Sequence, residues 1–201
     1  MINKIFELLK NIEDYPKCLA LTKYYEKEIS IFPASIKWHH TEQGGYIRHV
    51  YEVMQYVIQL GYPQLVRLAF LHDVDKLERY QIDTEKPTGP QLKYAQSLGI
   101  LIEPIDSKTS VSVKINNAKN NLNDPIQYFT YREVPAMDEA ANVMRICSNF
   151  DIKFNLEDVH CLCCHHGGWS HAGQRGGLSP LATILHCADL MSTNINGKEL
   201  L

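Results

Sequence analysis

Residues 68–80, LAFLHDVDKLERY, place His72 and Asp73 side by side at the end of an almost unbroken apolar run, LVRLAFL (residues 65–71). The run reads as a helix facing a core. Burying charge in such a place costs several kcal/mol unless the group is paired or coordinated. Two readings meet that cost: a structural hydrogen bond between the two side chains, or a divalent ion, for which neutral imidazole and carboxylate are both good ligands.

Working outward, apolar residues recur at helical spacing over residues 2–12, 16–31, 45–60 and 63–80, and again over 137–149, 156–166 and 179–194. Pro63 and Pro180 suit first-turn positions, and Asn155 suits an N-cap. The pattern predicts an all-α helical bundle. With 201 residues, 45% of them hydrophobic, the chain buries one respectable core. It therefore reads as one domain over 1–201, with N-terminal helices in 1–37 and an insertion at 81–135. The insertion is marked by the breakers KPTGP, SLGILIEPIDS and NNAKNNLNDP. Between them lie a short helix over 91–98 and two strand-like stretches, VSVKI (111–115) and IQYFTYREV (126–134), predicting a small β-hairpin over the bundle.

The formal charge of −3 provides no global footprint for a long nucleic-acid duplex or an anionic membrane, so any anionic substrate needs a local site. No apolar run approaches the roughly 20 residues that span a bilayer, and MINKIFELLKNIEDY reads as an amphipathic helix, not a signal peptide. A soluble, cytoplasmic protein without a membrane partner is expected. Three of the six cysteines fall in CLCC (Cys161, Cys163, Cys164), which points to reduced thiols. Their directions on a helix diverge and lack CxxC spacing, so small buried residues fit them better than a zinc site.

Other histidines and carboxylates stand in comparable settings. His49 lies in GGYIRHVYEV. His160, His165, His166 and His171 surround a helix ending at Gly167 and Gly168 in VHCLCCHHGGWSHAGQRGG. Asp189 sits in the apolar LATILHCADLMST with His186 one turn earlier, and its alternative is a cap or an arginine partner.

Taken in order, His49, His72-Asp73, His165-His166 and Asp189 resemble the H…HD…D signature of the HD superfamily of metal-dependent phosphohydrolases. The phrases HHTEQGGYIRHVYEV, AFLHDVDK, the HxxxxHHG run from His160 and SPLATILHCAD are similar to its exoribonuclease and phosphodiesterase branch. They cover most of residues 38–80 and 156–194. The resemblance implies an HD-type helical bundle in which His49, His72, Asp73 and Asp189 hold one divalent ion (Mn, Fe, Co, Ni, Zn or Mg). Asp73 would bridge to a second ion, with His165 and His166 completing that site or facing phosphate. Lys76 matches a lysine that holds a phosphate oxygen, its alternative being a solvated helix lysine.

The resemblance further implies cleavage of a phosphomonoester or phosphodiester of a nucleotide or a short single-stranded nucleic-acid end. Asp73, Lys76 and His165 would be catalytic, and His166, Trp169 and Arg175 would contact substrate, with Trp169 stacking on a base or belonging to an ordinary loop. Two departures stand out. Met137 occupies the place of a further histidine and is a poor ligand, which puts the second ion in doubt and turns attention to His160, His165 or His166. Asp75 replaces a usual glycine, adding a carboxylate that acts as a base or faces solvent. The alternatives are a mixed-valent di-iron oxygenase and a degenerate nucleotide-binding module.

Overall fold

The computed structural model describes residues 1–132 and 138–196, without the side chains of residues 169, 171, 172 and 175. The centre of the bundle is α4 (Gly45–Gln59), which buries Val50, Val53, Met54 and Val57 on the face that also carries His49. Against it pack α5 (Val66–Leu71), preceded by a 3-10 turn at Pro63–Leu65, and α12 (Pro180–Met191). The N-terminal helices α1 (Ile2–Leu9), α2 (Tyr15–Tyr24) and α3 (Glu26–Ile31) lie on one side, contributing Ile5, Leu9, Leu21 and Ile29 to the same core. The expected helix over 16–31 is interrupted at Tyr25.

The helix expected over 63–80 also breaks, at the stretch that matters most. α5 ends at Leu71, residues 72–75 form tight turns, and α6 (Lys76–Arg79) follows. Val74 N–H reaches Leu71 O at 3.1 Å and Lys76 N–H reaches Asp73 O at 3.0 Å, i to i+3 bonds that tighten the backbone. The His72 ring adds a bond to the Ala69 carbonyl at 2.8 Å, a side-chain contact of the kind that competes with continued helix. The break turns His72 and Asp73 inward together.

The insertion holds α7 (Gly89–Ser97) and α8 (Lys108–Asn120), which pack on each other. VSVKI is therefore helical, not a strand. Ser107 caps the α8 N-terminus and exchanges bonds with Ser110, and left-handed Asn121 ends the helix. The small antiparallel sheet is present with other partners: β1 (Tyr80–Ile82) pairs with β2 (Phe129–Tyr131), Tyr80 opposite Tyr131 and Ile82 opposite Phe129. The sheet closes the two ends of the insertion onto the bundle. Among the described residues the remaining regular structure is helical, as the apolar spacing predicts.

Three more helices complete the site's frame: α9 (Glu139–Ser148), α10 (Leu156–Cys164) and α11 (His171–Gly176). Asp138 caps α9, and Asn155 caps α10 through a capping box with Asp158, as expected of Asn155. α12 runs on into a π turn at Ser192–Asn196. Among the described residues no helix is long and apolar enough to cross a membrane.

Candidate metal centre

α4, the turn after α5, and α12 bring four donor atoms to one point. His49 Nε2 lies 3.2 Å from Asp189 Oδ1, 3.3 Å from Asp73 Oδ2 and 3.3 Å from His72 Nε2. His72 Nε2 lies 3.4 Å from Asp73 Oδ2 and 3.9 Å from Asp189 Oδ1. Ligands about 2.1 Å from a shared ion stand about 3.0–3.4 Å apart in octahedral or tetrahedral geometry, so most of these edges are already of coordination size.

The hydrogen bonds around the cluster say which form each ring takes. The Ala69 carbonyl only accepts, so His72 Nδ1 donates and its Nε2 presents a lone pair inward. His49 Nδ1 lies 2.9 Å from Ser192 Oγ, and that hydroxyl donates to Glu52 Oε2 at 2.8 Å. His49 Nδ1 is thus a donor, and in the neutral ring its Nε2 also turns a lone pair inward. Two lone pairs and two carboxylate oxygens meet in a buried space, an arrangement that calls for a cation. The donor set fits a divalent ion.

The charges agree with that demand. Burial works to lower the His49 pKa, yet the Asp189 and Asp73 carboxylates leave it raised. His72 is lowered by burial. Asp73 is held well below the usual carboxylate range, against its burial, by the Lys76 ammonium and His72. Asp189 is depressed against its burial by His49. Among the described residues the charged groups that Asp189 faces are histidines, not arginine.

A second donor group adjoins the first: Asp73, His165 and His166 bring ligand atoms within 4.8 Å of one another. His165 Nδ1 donates to the Leu162 carbonyl at 2.6 Å, leaving Nε2 buried and, among the described residues, without a hydrogen-bond partner. Burial lowers the His165 pKa to about 3, with His166 and His72 adding to the effect. His166 Nε2 bonds Glu139 Oε2 at 2.7 Å, which leaves its Nδ1, 3.9 Å from Asp189 Oδ2, on the cluster side. Arg79 holds the other Glu139 oxygen. His186 Nδ1 donates to the His165 carbonyl at 2.6 Å, fixing the backbone that carries the pair.

Several sequence-level assignments change. Lys76 is neither solvated nor free: it is buried, with Nζ 2.5 Å from Asp73 Oδ2. Asp75 does not face solvent either; burial pushes its carboxyl up to about 7, and Arg79 Nε stands 3.3 Å away. His160 accepts the Ser179 backbone N–H at 3.2 Å and ties α10 to the start of α12, apart from both donor groups. All six cysteines are free thiols, and none joins a donor group among the described residues. Met137 and the side chains of Trp169 and Arg175 lie outside the described residues.

Five contributors were not singled out from sequence. Glu52 and Ser192 brace His49, Glu139 braces His166, and the His39–His40 pair packs beside His49, with ring centroids of His39 and His49 5.0 Å apart. The spacings HxxE from His49 and DxxS from Asp189 are the available signals, since residues three apart share a helix face. No family model matches the chain, and neither the curated proteins nor the solved structures contain a match.

Proposed function

We propose that the chain is a metal-dependent phosphohydrolase of the HD type, acting on a phosphoester of a nucleotide or of a short single-stranded nucleic-acid end. The observation that carries this reading is the convergence of His49, His72, Asp73 and Asp189, in the order of the signature, on one buried point. A divalent ion held there supplies Lewis acidity, neutralising phosphoryl charge and bringing the pKa of water toward neutrality.

The chain's own residues do the rest. Lys76 keeps Asp73 ionised, so that its carboxylate is available to orient attacking water in line with the scissile P–O bond. His165 offers a buried lone pair, suited to holding an ion, whereas His166, bonded to Glu139, stands at the more open side of the cluster. It is the better placed of the two to contact phosphate and pass a proton to the departing oxygen.

The test is a turnover screen of nucleoside mono-, di- and triphosphates, cyclic dinucleotides and short single strands, each with Mn, Mg, Co, Ni and Fe. Turnover that disappears in Asp73→Ala is expected, and none with any pairing would overturn the reading. The second donor group favours one competitor, a di-iron oxygenase, because Asp73, His165 and His166 extend the first site without Met137. Two irons per chain with oxygen consumption would select it.

A further inference from the structure

We infer that Glu52, acting through Ser192 and backed by His40, is a positioning residue that sets the tautomer and aim of His49 in the metal centre. The inference rests on the metal-centre reading but concerns residues outside the donor set. On α4, His49 and Glu52 stand one turn apart. Across from them, at the end of α12, Asp189 and Ser192 stand one turn apart as well. The two pairs interlock. His49 Nε2 faces Asp189 Oδ1 at 3.2 Å, His49 Nδ1 donates to Ser192 Oγ at 2.9 Å, and Ser192 Oγ donates to Glu52 Oε2 at 2.8 Å.

The direction of this chain is fixed at its anionic end. A carboxylate only accepts, so Ser192 must give its proton to Glu52, leaving the hydroxyl lone pairs for the proton on His49 Nδ1. With its one proton held on Nδ1, the neutral His49 ring turns Nε2 toward the cluster as a ligand atom. A hydroxyl thus joins imidazole and carboxylate in the arrangement by which outer groups orient metal-binding histidines.

Glu52 is itself anchored. The same Oε2 accepts from His40 Nε2 at 2.8 Å, and Oε1 accepts from Arg48 Nε at 3.1 Å. His40 is buried and holds a left-handed backbone (φ 43°), unusual for a residue with a side chain. Its carbonyl accepts the Ala34 N–H at 3.0 Å and touches the start of α4, where a Cβ on Gly45 would lie 2.0 Å from that oxygen. The backbone is therefore drawn into an unfavourable shape at the place that presents His40 to Glu52. Ser192, in turn, begins the π turn, a local widening of helix often found at functional sites.

The test is titration of full-length, chelator-stripped protein with Mn(II) by calorimetry and with Co(II) by visible absorption. The variants are Glu52→Gln, Ser192→Ala, the double variant, and Gln59→Ala, at an exposed position of the same helix, as a control. Each single change should weaken ion binding about 10-fold or more. The double variant should bind within about twofold of the weaker single, because both act through one chain. The Co(II) spectrum should change in the same variants, while Gln59→Ala stays within about twofold of wild type. Ser192→Ala removes one oxygen and carries the test if Glu52→Gln lowers the melting temperature of ion-free protein. Variants that bind like a competent wild type, or single losses that multiply in the double variant, overturn the inference alone. A wild type that binds neither ion overturns the metal-centre reading and this inference with it.

Discussion

His49 Nε2 and His72 Nε2 face each other at 3.3 Å while each ring's Nδ1 is already committed as a donor, to Ser192 and to the Ala69 carbonyl. On the proposed reading, two rings with Nε2 turned inward beside two carboxylates are stabilised by a cation between them. An ion that binds only the folded chain stabilises it by about 2.7 kcal/mol at 100 times its Kd. For a domain of this size that corresponds to a rise in Tm of about 5–11 °C. Thermal denaturation of stripped protein with and without Mn(II) or Ni(II) should show it. Asp189→Asn, nearly isosteric but uncharged, should lose most of the rise, and an equal rise in both proteins would remove Asp189 from the centre.

His165 makes a separate prediction, because its Nε2 is buried without a partner among the described residues. An unsatisfied buried polar atom costs about 1–3 kcal/mol, and the Nδ1 bond to Leu162 gains about 0.5–1.5 kcal/mol. His165→Leu removes both, so ion-free stability should change little. On the reading that both donor groups hold an ion, stoichiometry measured by calorimetry with elemental analysis should fall from two per chain to one, with the first affinity retained. A stoichiometry still at two would show that His165 holds no ion.

Much of this frame was legible in the sequence, for reasons that also mark the limits. Long helices such as α4 and α12 carry strong apolar spacing, and an apolar run ending in His72-Asp73 announces a buried polar site whatever the fold. The break after Leu71 was not legible, since it turns on a side-chain bond to Ala69 that periodicity does not encode. VSVKI alternates like a strand, but Ser107 and Ser110 start a helix three residues earlier, with only Ser110 and Val111 of α8 buried. Glu52, Ser192 and Glu139 are ordinary helix residues in one dimension. Only the packing of α4 on α12, and of α9 near α10, gives them partners.

Acid should loosen the bundle through Glu78. Its carboxylate accepts from the Tyr25 hydroxyl and from Arg145, tying α6 to the end of α2 and to α9. Burial works to raise its pKa, but these two donors leave it lowered. A depressed carboxylate adds stability that is fully present above the unfolded pKa of about 4.3 and is lost as pH falls through the folded value. Glu78→Gln should therefore melt below wild type at pH 7, with the gap closing below about pH 4. Parallel melting curves across that range would show that the ion pair contributes nothing, as exposed pairs often do.

The last prediction sets neighbouring glycines against each other. Gly167 has φ 56°, and a Cβ there would lie 2.4 Å from His186 Nε2, whereas a Cβ on Gly168 meets nothing within 4 Å. A side chain in the left-handed region costs about 1–2 kcal/mol before any clash. The clash itself falls on the ring that donates to the His165 carbonyl, so displacing His186 also frees the backbone that aims His165 and His166. Gly167→Ala should lower Tm by at least about 2–8 °C and weaken the second ion more than the first. Gly168→Ala should match wild type in both. Equal behaviour of the two variants in melting and titration would mean that the close approach of His186 to Gly167 does not position the histidine pair.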